Sequence, residues 1–246
     1  MMLRQVIITA DGSHTLSVPE LNETYHSTYG AVQESRHIFI HYGLDYWFKT
    51  NGSNKVKIFE VGFGTGLNAL LSVDYAENHQ KSILYDAIES DPIPVTEALS
   101  LNYPQMLPAE AAHQWFEQIH KSAWNEYADI QSNFRLKKIH GTIQDFQSRE
   151  LYDVCYFDAF APSKQPEMWE ISILEKIEQL LNPGGVFTTY CAAGHLRRSL
   201  NVIGIYPLTL LPGPLRAKKK SYVLRKDNMR ARHNTRIHTD IIGMNI

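Results

Sequence analysis

Cysteine is scarce in this chain. Its 246 residues hold two, Cys155 and Cys191, both inside apolar runs and without metal or redox spacing. They read as buried free thiols, which excludes a disulfide framework and a thiolate metal site. Long apolar runs are missing too: none approaches the roughly 20 residues of a membrane span. The opening Met1-Met2-Leu3-Arg4-Gln5-Val6-Ile7-Ile8 is interrupted by Asp11-Gly12, too soon for a signal peptide. A cytoplasmic protein without membrane contact is expected. The eleven histidines form no HExxH. No GxxxxGK[ST] loop, nucleophile elbow or Cys/His triad spacing occurs, so metal, phosphoryl-transfer and acyl-transfer chemistries lack their parts.

What is present suffices for one large α/β domain, since 43% of the residues are hydrophobic. The net charge of −2 conceals an asymmetry. Residues 191–246 hold 11 of the 24 Lys and Arg but only two acids, Asp227 and Asp240. A basic end on an acidic body suits a polyanionic partner, or is a solvated tail.

Along the chain, residues 5–18 read as a β-hairpin around Asp11-Gly12. Arg36 to Phe48 is apolar at helical intervals. From residue 51 the pattern alternates: strands are expected at 56–61, 83–88, 135–140, 153–158, 185–190, 205–211 and 221–225, and helices at 66–78, 92–102, 168–181 and 193–203. Residues 104–130, rich in aromatics (Trp115, Phe116, Trp124, Tyr127), read as a helical insertion. This order implies a doubly wound, mostly parallel, seven-stranded sheet with helices on both faces. Residues 1–50 are expected to form an N-terminal extension packed on the core, 51–226 the domain proper and 227–246 a basic tail. Ligands in such sheets sit beyond the carboxyl ends of the strands.

Five segments carry candidate chemistry. Glu60-Val61-Gly62-Phe63-Gly64-Thr65-Gly66 is a strand, a tight turn and a helix start. Its glycines let a ligand approach bare backbone N–H groups. The spacing departs from the G-x-G-x-x-G of dinucleotide sites. The preceding carboxylate would repel a phosphate and favours a cation such as the sulfonium of S-adenosylmethionine. At the next strand tip, Glu89 can accept the hydroxyls of a ribose, while Asp91 caps the helix opening at Pro92. Val154-Cys155-Tyr156-Phe157-Asp158 runs an apolar strand into one acid, which either faces an acceptor atom, with Phe160 stacking on a flat substrate, or caps the loop. Arg197 and Arg198 open a helix after small residues and can grip phosphates. Arg216, Lys218, Lys219 and Lys220 load a Gly/Pro loop with cations whose natural partner is a phosphate backbone.

Taken together these residues resemble the methyltransferase of the MnmC family, in its standalone form called MnmD. The resemblance rests on Gly62-Phe63-Gly64-Thr65-Gly66-Leu67-Asn68, on Asp158-Ala159-Phe160-Ala161-Pro162-Ser163-Lys164-Gln165-Pro166-Glu167-Met168-Trp169, on Ala192-Ala193-Gly194-His195-Leu196-Arg197-Arg198, and on Tyr25-His26-Ser27-Thr28-Tyr29-Gly30-Ala31 with Glu34-Ser35. It spans roughly residues 10–226. It implies a Rossmann-like class I fold and an S-adenosyl-L-methionine-dependent enzyme, without metal or flavin, that methylates 5-aminomethyl-2-thiouridine at the wobble position of tRNA. The family's oxidase has no counterpart within these 246 residues; a separate oxidase or the upstream modification enzymes would be its partners in the pathway, and the tRNA anticodon stem-loop its substrate. Carried onto this sequence, the cofactor residues are Glu60, Gly62, Phe63, Gly64, Thr65, Gly66, Asn68, Glu89, Ser90, Gly141, Thr142, Ile143 and Asp158. The catalytic residues are Asp158 and Phe160. The tRNA contacts are Tyr29, Lys164, Arg197, Arg198, Arg216, Lys218, Lys219 and Lys220. Two places depart from the family pattern: Thr142 stands where an acid is usual, with Gln144 or Asp145 left to compensate, and the basic loop has its own wording. The rival readings are a small-molecule amine transferase of the same fold and a tRNA-binding module without catalysis.

Overall fold

Strand parity explains the core of the molecule. The computed structural model describes residues 3–211 and 221–226. It begins with a small antiparallel sheet, β1 (Gln5–Ile8), β2 (His14–Val18) and β3 (Glu23–Thr24), in which the expected hairpin gains a short third strand. Helix α1 (Ala31–Ser35), a stretch of π-helix (Arg36–Asp45) and α2 (Tyr46–Asn51) follow. Then come β4 (Lys55–Val61), α3 (Leu67–His79), β5 (Ser82–Glu89), α4 (Val95–Ala98), α5 (Ala112–Lys121), β6 (Tyr127–Gln131) and β7 (Phe134–His140). The chain continues through β8 (Tyr152–Phe157), α6 (Ile171–Leu180), β9 (Leu181–Thr189), α7 (Gly194–Val202), β10 (Ile205–Leu211) and β11 (Ser221–Lys226).

The main sheet has the order β10-β11-β9-β8-β4-β5-β7-β6. Strands β9, β8, β4, β5 and β7 run parallel; β11 pairs antiparallel with β9 and β10, and β6 pairs antiparallel with β7. Among the described residues the sheet therefore has eight strands, not seven. The extra one is β6, within the segment expected to be helical. Residues 127–131 alternate Tyr, Ala, Asp, Ile, Gln, a period-two pattern with Ile130 buried, and aromatic content alone conceals that period. Residues 112–121 of the same segment do form a helix.

Successive residues of β4 and β8 point to opposite faces. Ile58, Val154 and Tyr156 pack with α2, α3, α5 and the N-terminal residues Leu16, Phe39 and Leu44. Phe59, Val61, Cys155 and Phe157 pack with Ile173, Leu174 and Ile177 of α6 and Leu196 and Leu200 of α7. Glu60 and Asp158 have the parity of the first set. They stand on the α3 face of neighbouring strands, where Glu60 lies opposite Tyr156.

Other boundaries moved for local reasons. The helix expected at 92–102 shrinks to α4, because Pro94 sits at its N-cap and the residue before a proline avoids the helical region. The helix expected from 168 begins at Ile171, after a 3₁₀ turn over Pro166–Trp169. The apolar run from residue 36 is a π-helix before it becomes α2; at Gly43 a Cβ would lie 3.1 Å from both Thr188 Cγ2 and Tyr156 Cε1. Both cysteines are buried, and neither forms a disulfide. Among the described residues no helix is long and apolar enough to cross a membrane.

Burial sets the expected mutational contrast. Leu174 is fully buried under the sheet and Val202 is 83% exposed. Leu174→Ala should cost about 2–5 kcal/mol, and Val202→Ala should stay within about 0.5 kcal/mol of the parent, both read from urea unfolding.

Candidate active site

The strand order reverses at β4, whose neighbours are β5 on one side and β8 on the other. A crevice opens beyond their carboxyl ends. It is a cavity of about 440 Å³, within the range of small-molecule sites. Its walls come from four strand ends: the Gly62–Thr65 loop after β4, Glu89 to Asp91 after β5, Gly141 to Gln144 after β7, and Asp158 to Phe160 after β8.

The loop after β4 is bare backbone held at close quarters. Gly62 has φ +88°, and a Cβ there would lie 2.7 Å from the Asp158 carbonyl oxygen. Its N–H donates to the Ile88 carbonyl at 3.0 Å, and the Asp158 N–H donates to Val61 O at 2.9 Å. Only glycine lets β4, β5 and β8 end this close together. Thr65 is fixed from two sides: its hydroxyl pairs with His26 Nε2 at 2.7 Å, and its carbonyl oxygen lies 3.2 Å from His120 Nε2. Burial pushes both histidines down to about 4, so they are neutral near neutral pH.

At one end of the cavity Glu89 accepts the Gly64 N–H at 3.0 Å on one carboxylate oxygen and the Asp91 N–H at 2.9 Å on the other. Each oxygen keeps a lone pair for a hydroxyl donor. At the other end stands Asp158. The Asn68 amide, in the first turn of α3, donates to Asp158 Oδ2 at 2.8 Å and to Glu60 Oε1 at 2.9 Å. One NH₂ group therefore links two carboxyls. Burial is the main cause of the raised pKa of both. Glu60 sits well above the ordinary carboxylate range, and Asp158 is raised to about 8, with Glu34 adding repulsion. The buried Tyr85 hydroxyl is a second partner of the Glu60 carboxyl.

Phe160 is held by its backbone: its N–H donates to Gln165 Oε1 at 3.0 Å, and the Trp169 indole donates to its carbonyl at 2.8 Å. The Tyr25 ring meets the Phe160 ring edge-on, centroids 5.2 Å apart.

Most of the expected site converges. Gly62, Phe63, Gly64, Thr65, Asn68, Glu89, Ser90, Gly141, Thr142, Ile143, Asp158 and Phe160 line one cavity. Glu60 and Gly66 do not. Glu60 is 1% exposed and reaches the cavity through Asn68. Gly66 forms the N-cap of α3 with φ +71°, where a Cβ would strike His120. Thr142 donates its hydroxyl to Asp145 at 2.7 Å, so the carboxylate absent from position 142 is tethered three residues on, while Gln144 lines the cavity. Tyr29 is 55% exposed, Lys164 is partly buried, and Arg197 and Arg198 are exposed at the start of α7; none lines the cavity. Arg216, Lys218, Lys219, Lys220 and the tail 227–246 lie outside the described residues. Tyr25, His26, Gln165 and Met168 line the cavity without having been assigned a role from sequence. Tyr25 and His26 stand some 35 residues before the glycine loop, and no local pattern ties them to it.

The arrangement fits S-adenosyl-L-methionine. Glu89 offers paired acceptors, the carboxyl pair offers a place for positive charge, and Ile88, Ile143 and Met168 offer apolar walls for a flat ring.

Comparison with known proteins agrees. A family model described as S-adenosyl-L-methionine-dependent methyltransferase matches residues 105–213. The tRNA 5-methylaminomethyl-2-thiouridine biosynthesis bifunctional protein MnmC of Pseudoalteromonas atlantica is 27% identical over 231 residues, 83% of this chain and 31% of that protein. Its namesake in Leptospira borgpetersenii is 30% identical over 208 residues, 78% of this chain and 30% of that one. The chain thus spans under a third of the length of these curated relatives. Among solved structures, MNMC2 from Aquifex aeolicus superposes with a TM-score of 0.71 at 23% identity, over 91% of this chain and 70% of that one. Magnesium protoporphyrin IX methyltransferase from Synechocystis, with bound S-adenosylmethionine, gives 0.51 at 10% identity over 80% and 81%. Both likenesses concern the fold. Residues 105–213 match the S-adenosyl-L-methionine-dependent methyltransferase family model, and over about four fifths of its length the chain is similar to part of the MnmC proteins, a likeness that the strand order and the glycine loop accompany.

Proposed function

We propose that the protein methylates the primary amine of 5-aminomethyl-2-thiouridine at the tRNA wobble position, giving 5-methylaminomethyl-2-thiouridine. One observation carries this reading: a carboxyl with a pKa raised to about 8, Asp158, stands at the end of β8 beside the aromatic wall of Phe160, in the same cavity as Glu89 and the glycine loop. The relatives' involvement in biosynthesis of that nucleoside, stated in their names, supports the choice of acceptor.

S-adenosyl-L-methionine supplies an electrophilic methyl on a sulfonium. The acceptor nitrogen attacks that carbon with its lone pair, the carbon–sulfur bond breaks, and the electron pair stays on sulfur. The amine must be unprotonated to attack, and it sheds a proton in becoming a secondary amine. Asp158, when ionised, orients the amine and takes that proton; a carboxyl poised near 8 is matched to an alkylammonium far better than an ordinary one. Asn68 holds the Asp158 carboxyl in place through one N–H. Phe160 and Tyr25 are the surfaces against which an extruded base would stack. Positioning supplies most of the rate, because the leaving group is already good.

Glu89 and Ser90 would hold the ribose and the Gly62–Gly66 loop the amino-acid part, while Thr142, Ile143 and Gln144 flank the base. Lys164, Arg197 and Arg198, together with the cations at 216 and 218–220, would grip the anticodon stem-loop. In this reading residues 51–226 are the methyltransferase domain and 1–50 its extension. The enzyme acts in the cytoplasm, after the enzymes that install the aminomethyl group.

The direct assay incubates the protein with S-adenosyl-L-methionine and tRNA bearing the aminomethyl nucleoside, followed by nucleoside mass spectrometry. A gain of one methyl on that nucleoside is expected; methylation of free amines without RNA would favour the small-molecule reading, and tRNA binding without methyl transfer the silent module. Asp158→Asn should lower turnover by about 10²–10⁴-fold while S-adenosylhomocysteine affinity in calorimetry changes little.

Asp158 also predicts a pH dependence of stability. Its folded pKa of about 8 lies above the ordinary value of about 3.9. Between these values the folded state keeps a proton that the unfolded state releases, so this group's contribution to stability falls as pH rises from about 4 to about 8. The ligand-free Asp158→Asn variant should therefore gain melting temperature over the parent at pH 8, and the gain should shrink toward pH 4.

A further inference from the structure

Behind Tyr25 and His26, which line the cavity, a third N-terminal side chain, Arg4, is tied to the site. Arg4 precedes β1, a strand that is mostly exposed: Val6 is 43% and Ile8 73% accessible. The Arg4 side chain is nevertheless 3% exposed. Its Nε donates to the Tyr25 hydroxyl at 3.0 Å, and its Nη2 donates to Asp91 Oδ2 at 2.6 Å. Glu97 Oε2 lies 3.8 Å from Nη1.

These contacts close a ring around the cavity. Asp91 gives its N–H to Glu89, and Glu89 receives the Gly64 N–H. A Cβ on Gly64 would come within 3.2 Å of the Tyr25 ring, and that ring abuts Phe160. Arg4 therefore touches the turn behind the ribose carboxylate with one nitrogen and the aromatic wall beside Asp158 with another. A guanidinium suits this task, because its planar fork presents donors in fixed directions.

We propose that Arg4 is a positioning residue for methyl transfer, acting through Tyr25: it sets the ring against Gly64 and Phe160, so that the donor end and the acceptor wall are fixed relative to each other. The inference rests on the donor and acceptor ends assigned above. It makes the N-terminal sheet part of the active site, and the Tyr25 hydroxyl, which faces Arg4, becomes functionally important through that single bond.

The test is a double-mutant cycle of Arg4→Ala, Tyr25→Phe and the pair, with two readouts: S-adenosylhomocysteine affinity by calorimetry, and the single-turnover rate of methylation on aminomethylated tRNA. Tyr25→Phe keeps the ring and removes only the hydroxyl, so it folds even if Arg4→Ala does not. Each single variant should slow methyl transfer by about tenfold, the worth of one charge-assisted hydrogen bond. The pair should be no slower than Arg4→Ala alone, because both changes break the same link. A Tyr25→Phe rate equal to the parent's, or effects that multiply to about a hundredfold in the pair, would overturn the proposal. A parent that binds S-adenosylhomocysteine alongside such variants removes only the role of Arg4; a parent that does not bind it removes the methyltransferase reading, and this inference with it.

Discussion

One amide group shared by two carboxyls organises this site. Asn68 donates to Glu60 and to Asp158 from the first turn of α3. The sharing follows from parity, since both acids stand on the α3 face of adjacent parallel strands. It also requires β4 and β8 to end side by side, which Gly62 permits by presenting no Cβ to the Asp158 carbonyl. Two buried carboxyls that share one amide group cannot both ionise cheaply. The site therefore retains a proton at neutral pH until a positive charge arrives. In the proposed function a cationic donor or an ammonium acceptor would supply that charge, so that recognition of the ligand and ionisation of Asp158 would be a single event.

The rest of the molecule serves this arrangement. His26 and His120, both neutral, pin Thr65 from opposite sides and hold the glycine loop over the carboxyl pair. Lys138, itself 1% exposed, donates to the His120 carbonyl at 2.9 Å and lies over the rings of Trp124 and Phe63. Burial lowers its pKa to about 8. The segment between α4 and β7 thus contributes to the site through α5 and its histidine. The small N-terminal sheet contributes through Tyr25, His26 and Arg4. Both additions surround the same loop, which is where a rigid backbone matters most for a reaction driven by positioning.

Much of this was legible in the residues. The Glu60–Gly66 run announced a strand, turn and helix, and the alternation of elements announced a parallel sheet whose ligands gather at strand ends. Those rules alone bring Glu89, Thr142 and Asp158 into one cavity. Other features were not legible. The strand at 127–131 hides in an aromatic-rich segment whose two-residue period covers only five positions. The π-helix over 36–45 shows apolar spacing close enough to that of an α-helix to pass for one. Tyr25 and His26 reach the site by tertiary packing, and sequence distance carries no sign of it. Glu60, expected among the ligand residues, lies outside the cavity lining and is bonded to Asn68, which lines it, because residue parity fixes a face and not a depth.

The arrangement around Asp158 requires that this carboxyl keep its proton at neutral pH in the ligand-free protein. Carbon-13 NMR titration of the aspartate carboxyls, with Asp158 assigned by comparison with Asp158→Asn, reads this group directly. A midpoint near 8 is expected, falling when S-adenosyl-L-methionine is added. A midpoint near the ordinary aspartate value of about 3.9 would mean that Asp158 is ionised in the free protein and that the shared amide does not hold a proton in the site.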